Sequence, residues 1–378
     1  MKVLHIISGL ETGGAELFLE RLALGLAYRN FSQTIVALRH AGDAGTRLER
    51  EGIHVHALHA GLNPAGLRAL FALRSIVREQ SPDLIQGWMY HGNLGASLAR
   101  KLGDRACPVV WNVRHSLDDW RGESAELRIV IRLGGAVSAS TEAILFNSRV
   151  AADQHVRRGY PAHKARVIPN GVDCNQFRPD ADLWRATRQQ LGLDAGCVVI
   201  GMVARYHPVK DHATFLGAAQ IVRARIPHSR FLLVGYGATR DNPALAELLK
   251  KGQLDGSVLA LGERQDIPAL LNALDVYVSS SRAEGFPNAV VEAMACGVPC
   301  VVTDVGASRE LVGETGIVVR PASEQDLAEA IIGIAAQSSS QRHELGEAAR
   351  ERIIRRYSME QCISAYADLY ASLARPAE

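Results

Sequence analysis

Short apolar runs recur along the whole chain, each followed by a longer segment of helical period, and the cycle happens twice. In the first half, residues 3–8, 34–38, 55–58, 84–88, 109–113 and 143–146 read as buried strands. Segments such as 15–28 and 64–79 read as helices between them. A second cycle opens near Val198, with residues 198–204, 230–234, 258–261, 276–279, 300–303 and 316–319 as strands. Such alternation belongs to parallel sheets wrapped by helices, because a parallel crossover needs a connection of helix length. The expected class is α/β, with two doubly wound units in tandem. A chain of 378 residues is long enough for two cores.

The joint is expected at residues 168–173, where Pro169 and Asn170-Gly171 favour turns. That places a first domain at 1–172 and a second at 173–357. The closing segments, 338–357 and 358–373, read as helices with no strand after them. Residues 358–378 are expected to return to the first domain.

Charge and cysteine usage narrow the partners. Formal net charge is +2, which gives no general polyanion signal, so no nucleic acid is expected. The charge is uneven: residues 1–170 carry 21 Lys+Arg against 15 Asp+Glu. A basic first half suits an acidic partner or an anionic membrane surface, and chance scatter of surface charge explains it equally well. Six cysteines stand apart with no Cys-x-x-Cys pair, as in a reducing cytoplasmic compartment. The first ten residues suit a buried strand better than a signal peptide, and no apolar stretch is long enough to span a bilayer. Any membrane contact is therefore expected to be peripheral, at the inner face.

The motif richest in chemistry is Glu284-Gly-Phe-Pro-Asn-Ala-Val-Val-Glu292, directly after the strand at 276–279. Pro287 suits the first turn of a helix, and Gly297 with Pro299 would end it. Such a helix starts at the carboxyl edge of a parallel sheet, where doubly wound folds take ligands. Its N–H groups around Asn288 to Val290 can hold a phosphate. A carboxylate accepts hydrogen bonds from two neighbouring hydroxyls, so Glu284 can grip a sugar and Glu292 a ribose. The plainer alternative makes Glu284 an acid favoured by the helix dipole and Glu292 a solvated helix residue.

A second motif, Ala204-Arg205-Tyr-His-Pro-Val-Lys210-Asp211, follows the first strand of the second cycle. Arg205 and Lys210 can neutralise a diphosphate without a metal, or they are ordinary surface cations. Asp211 reads as the cap of the next helix. Thr12-Gly13-Gly14 allows close backbone approach to a ligand but is not GxGxxG. Arg114-His115 ends one first-half strand and Trp88-Met-Tyr-His91 ends another, so Arg114 and His91 are candidates for an acceptor pocket. Asp180-Ala-Asp182 has the form of a metal pair but lies away from any strand end, and Asp182 reads as a helix cap. No P-loop, nucleophile elbow or zinc motif occurs, and no metal site is expected.

Together these motifs resemble glycosyltransferase family 4 (group 1) of the GT-B fold. The likeness rests on Glu284 and Glu292 with seven residues between them, on Arg205…Lys210, on Gly13-Gly14 and on the joint 170–173. Ala204 departs from it, since members often carry glycine there. The resemblance implies two Rossmann-like domains facing across a cleft that holds the active site. It implies retaining, metal-independent, hexosyltransferase-type transfer from a nucleotide sugar, expected to be UDP-linked, with no cofactor. The acceptor would be a saccharide or lipid-linked glycan, in bacterial surface polysaccharide or glycolipid synthesis. Arg205, Lys210, Glu284 and His115 would form the catalytic set. Gly13, Gly14, Arg264, Gly285, Phe286, Pro287, Asn288, Ala289 and Glu292 would add donor contacts. A nucleotide-sugar 2-epimerase of the same architecture is the alternative, and a non-catalytic nucleotide-sugar sensor a third.

Overall fold

The computed structural model describes residues 1–11, 13–60, 64–105, 107–118, 120, 122–194 and 196–374, with backbone alone at 64 and 65. The chain divides into two compact units: Met1–Asn170 with the chain from Glu360 onward, and Gly171–Met359.

The first unit alternates β1 (Lys2–Ile7), α1 (Gly14–Ala27), β2 (Ser32–Ala37), α2 (Gly42–Arg50), β3 (His54–Ala57), α3 (Pro64–Gln80), β4 (Leu84–Trp88), α4 (Met89–Leu102), β5 (Val109–Val113), α5 (Ala125–Val137), β6 (Ala143–Phe146), α6 (Arg149–Val156) and β7 (Ala165–Val167). All seven strands pair in parallel, in the order β3-β2-β1-β4-β5-β6-β7. β4, β5 and β6 are buried at every position. That is why they read as continuous apolar runs rather than alternating ones.

The second unit runs α7 (Ala181–Gln190), β8 (Val198–Val203), α8 (His212–Arg225), β9 (Ser229–Val234), α9 (Pro243–Lys251), β10 (Val258–Ala260), α10 (Ile267–Asn272), β11 (Val276–Ser279), α11 (Asn288–Ala295), β12 (Cys300–Thr303), α12 (Ser308–Val312), β13 (Gly316–Val319), α13 (Glu324–Ala335) and α14 (Ser339–Tyr357). Its parallel sheet has the order β10-β9-β8-β11-β12-β13. In each sheet the winding reverses once, between β1 and β4 in the first and between β8 and β11 in the second. The loops leaving two neighbouring strands diverge there and open a crevice at their carboxyl ends.

The last helix, α15 (Met359–Ala374), belongs to the first unit for nearly all its length. Tyr366 and Tyr370 are fully buried. The Tyr366 ring stacks on Trp88 and lies beside Phe18 of α1, while Tyr370 donates its hydroxyl to Gln86 Oε1.

Sequence and structure differ in three local places. β7 was not expected; three half-exposed residues at a sheet edge carry no periodic signal. Asp180, not Asp182, caps α7: its carboxylate accepts from the Asp182 and Leu183 amides, while Asp182 sits in the first turn and pairs with Arg185. Pro287 is the cap of α11 rather than its first helical residue. Asp211 does cap α8, from a left-handed backbone with φ 51°.

Candidate active site

In the second unit the crevice between β8 and β11 is the place where the motif residues meet. β8 leads into Ala204 and Arg205, then through a single 3-10 turn, Pro208–Lys210, to Asp211. β11 leads into Ser280, Ser281 and Glu284, then to α11. A hollow of about 280 Å³ lies there, lined among others by Arg205, Lys210, Glu284, Phe286, Pro287, Asn288 and Ala289. Arg264, Gly285 and Glu292 are not in its lining. Arg264 is held in a two-pronged pair with Asp266, which lowers the Asp266 carboxyl below its ordinary range.

Lys210 Nζ lies 2.5 Å from Glu284 Oε1, and the Ser281 hydroxyl donates to the same oxygen over 2.7 Å. Both members of the ion pair are largely buried. The loops that carry them are tied together from behind. Ser280 Oγ lies 3.0 Å from both the Lys210 and the Asp211 carbonyl oxygens, and the Arg282 side chain pairs with the buried Asp211 carboxylate at 2.8 Å. The Arg282 amide donates to the Val209 carbonyl. Arg205, by contrast, is exposed and makes no ion pair among the described residues. The hollow thus offers one committed cation, one uncommitted cation and a carboxylate.

Two glycines explain how backbone comes this close. Gly306, with φ 54°, packs against the Glu284 carbonyl so tightly that an added Cβ would overlap it at 1.8 Å. Gly235, with φ 140°, does the same against the Ala204 carbonyl at 2.3 Å. Only glycine takes such conformations without strain and leaves the space.

Below the hollow, Tyr277 is fully buried and its hydroxyl faces the Val203 carbonyl at 3.4 Å. Burial is the main cause that pushes this phenol well above its ordinary value, with the charges of Cys300, Glu284 and Glu292 adding to it. It is a neutral donor lying within electrostatic range of both motif carboxylates. His212, under the Tyr206 ring, is also kept neutral by burial, which lowers it to about 4. Tyr277, Ser279 and Ser281 were not anticipated, because a hydroxyl in or just after a strand looks like any other strand residue.

The start of α11 offers fewer free amides than expected. The Val290 amide donates to the Pro287 carbonyl, so it is not free for a phosphate. Pro287 offers no side-chain acceptor for the first turn.

In the first unit, Gly13 and Gly14 begin α1 after β1, His91 is exposed in the first turn of α4 after β4, and Arg114 with His115 follows β5. These strands are neighbours in the sheet, so the candidates leave one edge. Thr12 lies outside the described residues. Arg114 is committed within the unit. Its guanidinium lies 3.6 Å over the Phe18 ring and donates to Asn112 Oδ1, to the Tyr366 oxygen and to Asn170 Oδ1. His115 Nδ1 lies 3.2 Å from the Tyr90 hydroxyl and Nε2 lies 3.1 Å from Glu123 Oε1.

Among the described residues, no group of three or more His, Cys, Asp or Glu side chains is placed to hold a metal, and no helix is long and apolar enough to cross a membrane. All six cysteines are free thiols.

Comparison with known proteins gives a consistent picture. Residues 12–176 match the profile "Glycosyltransferase Family 4" and residues 197–337 the profile "Glycosyl transferases group 1". The chain is 37% identical over 155 residues to the UDP-Gal:alpha-D-GlcNAc-diphosphoundecaprenol alpha-1,3-galactosyltransferase of Escherichia coli, over 39% of each chain. It is 33% identical over 229 residues to the lipopolysaccharide core mannosyltransferase LpsB of Rhizobium meliloti, covering 55% of this chain and 61% of LpsB. These two matches therefore span less than two thirds of the relatives' own length. LpsE, a lipopolysaccharide core glycosyltransferase of the same organism, aligns over 98% of this chain and 99% of its own, at 27% identity. Among solved structures, Anabaena HepE in complex with UDP and glucose superposes with a TM-score of 0.84, at 25% identity, over 99% of this chain and all of that one.

Proposed function

The chain belongs to the group 1, family 4 glycosyltransferases, and from that premise we propose that it moves a sugar from a UDP-linked donor to a saccharide or lipid-linked acceptor. What carries the reading is the grouping of Arg205, Lys210, Glu284 and the start of α11 around one hollow at the β8/β11 reversal. The donor's diphosphate would lie between Arg205 and Lys210, which stabilise charge as the sugar departs. Glu284 would take sugar hydroxyls and Glu292 the ribose. His115 and the Gly13–Gly14 turn of the first unit would contribute to the donor, and His91 to the acceptor. Transfer with retention and without a metal ion belongs to the same proposal: two side-chain cations supply the positive charge a metal would otherwise bring. Surface polysaccharide or glycolipid synthesis is the setting that fits the activities of the galactosyltransferase and LpsB. Nothing in the comparisons favours the epimerase alternative.

The direct test is thermal unfolding with UDP, UDP-sugars and other nucleotide sugars. A ligand of the folded state present at 100 times its Kd adds about 2.7 kcal/mol to stability, so the cognate donor is expected to raise the unfolding temperature by several degrees. With that donor in hand, sugar transfer to an acceptor panel in EDTA, with the anomeric configuration of the product read by NMR, decides metal dependence and stereochemistry. No shift with any nucleotide sugar would count against the whole assignment.

Peripheral contact with an anionic membrane face is part of this proposal. α5 turns Ile129, Leu133 and Val137 outward at helical spacing, with Arg128 and Arg132 beside them. Apolar side chains fringed by arginine suit a negatively charged bilayer surface. Ile129→Glu with Leu133→Glu is expected to lower sedimentation with phosphatidylglycerol vesicles several-fold. Undiminished sedimentation would remove α5 from the proposal.

A further inference from the structure

The first unit holds an unbroken run of hydrogen bonds that begins in its core and ends at His115. It starts on α6. His155 is fully buried, with Nδ1 2.7 Å from the Ala151 carbonyl oxygen. A carbonyl can only accept, so Nδ1 carries the proton. In a neutral ring Nε2 is then a bare acceptor, and it lies 2.8 Å from the Tyr90 oxygen. Tyr90 must spend its single proton there. Its oxygen therefore presents only lone pairs to His115 Nδ1, 3.2 Å away, and that nitrogen has to be the donor. One carbonyl on α6 thus sets the proton on Tyr90 and on both imidazoles. At the far side of the His115 ring, Nε2 lies 3.1 Å from the Glu123 carboxylate, which can only accept, so that contact is a hydrogen bond only while Nε2 also carries a proton.

We infer that Tyr90 and His155 are positioning residues that lock a proton on His115 Nδ1, leaving Nε2 as the one nitrogen of the ring that gains or gives up a proton, donating to Glu123 when it carries one. His115 is only partly exposed, whereas Tyr90 and His155 are buried, so neither of the two can itself meet a ligand. The inference rests on the proposed function only for its consequence: if a donor hydroxyl meets His115, it meets Nε2, in a ring whose orientation and proton are already fixed. Second partners that fix a histidine's tautomer are a general means of setting what its other nitrogen does.

The lock needs a neutral His155 and an intact Tyr90 hydroxyl. Burial, the largest influence, lowers His155 to about 4; the charges of His115 and Arg158 lower it further, and the Ala151 bond acts the other way. Burial also raises Tyr90 well above its ordinary value, with Tyr160 and Glu123 adding and Arg158 opposing. The rings of Phe146 and Tyr160 close around His155 at 5.2 Å between centroids. A charged His155 would donate from both nitrogens and turn the Tyr90 proton toward His115, which would then have to accept at Nδ1. The lock would invert, but only as pH falls through about 4.

Two-bond 15N–1H correlation spectra of full-length protein labelled at histidine nitrogen test this directly. His115→Gln assigns the signal, and Glu123→Gln replaces the carboxylate by a neutral amide. His115 Nδ1 is expected to carry a proton in the wild type and in Glu123→Gln, and the ring to become a mixture of tautomers in Tyr90→Phe. A His115 protonated only at Nε2 in the wild type would overturn the lock, whether or not the variants fold. So would a Tyr90→Phe spectrum unchanged from wild type. Because the tautomer is read without substrate, failure of sugar transfer would sink the proposed function and leave this inference standing.

Discussion

Arg205→Ala is expected to lower kcat by about 10²–10³-fold, the usual cost of removing one preorganised group that faces developing charge, with no change in stability. Arg205 is exposed and unpaired among the described residues, so nothing in the fold depends on it. Lys210→Ala is expected to cost as much turnover and, in addition, about 1–3 kcal/mol of stability, because the largely buried Glu284 carboxylate loses its cation. The double variant Lys210→Ala/Glu284→Gln separates the two effects. It should recover most of the stability, since the uncompensated charge is gone, and recover none of the activity. Steady-state rates with the cognate donor and urea unfolding give both readings. If Arg205→Ala kept turnover within threefold of wild type, the assignment of a diphosphate to this hollow would fail.

The second large effect is on folding. Tyr366→Ala is expected to destabilise the first unit by about 3–5 kcal/mol, the range for deleting a buried aromatic ring. Tyr366 is fully buried against Trp88 and Phe18. Its oxygen accepts from Asn112 Nδ2 at 2.7 Å and from Arg114 Nη1 at 2.8 Å. Tyr366→Phe keeps the ring but leaves both donors without that acceptor, for an expected cost of about 1–3 kcal/mol. Chemical denaturation followed by tryptophan fluorescence measures both. An alanine variant within about 0.5 kcal/mol of wild type would show that α15 contributes little to the unit, contrary to its packing.

Much of the fold was legible because parallel strands buried on both faces are predominantly apolar. β4, β5, β6, β11 and β12, buried at every position, fall at the expected residues; edge strand β13, only partly buried, was legible too because Ile317, Val318 and Val319 are all apolar. Edge strand β7 was not legible, since its three residues, Ala165-Arg-Val167, make neither an apolar run nor an alternation long enough to read. Capping was read correctly at Asp211 and two residues too late at Asp182, because two aspartates among polar residues offer the backbone similar choices. The cation and carboxylate positions of the hollow stood out as charged residues just past apolar runs. The residues that hold them did not: Ser280 and Tyr277 act through the neighbouring chain, and Gly306 is defined by a carbonyl 22 positions away, at Glu284. Arg114 looked like a site residue for the same reason Arg205 did, and only packing distinguishes them. One guanidinium, half-buried, packs over Phe18 and bonds to Tyr366, and the other is exposed.

The first unit is discontinuous: nearly 190 residues of the other unit stand between Asn170 and the helix that covers Trp88 and Gln86. During synthesis the second unit has all of its strands before α15 emerges, and domains generally form as their segments become available. The unit made first is therefore completed last. Until the final helix leaves the ribosome, the aromatic surface awaiting Tyr366 and Tyr370 is open, and a nascent chain stalled after α14 would be the species most in need of a chaperone.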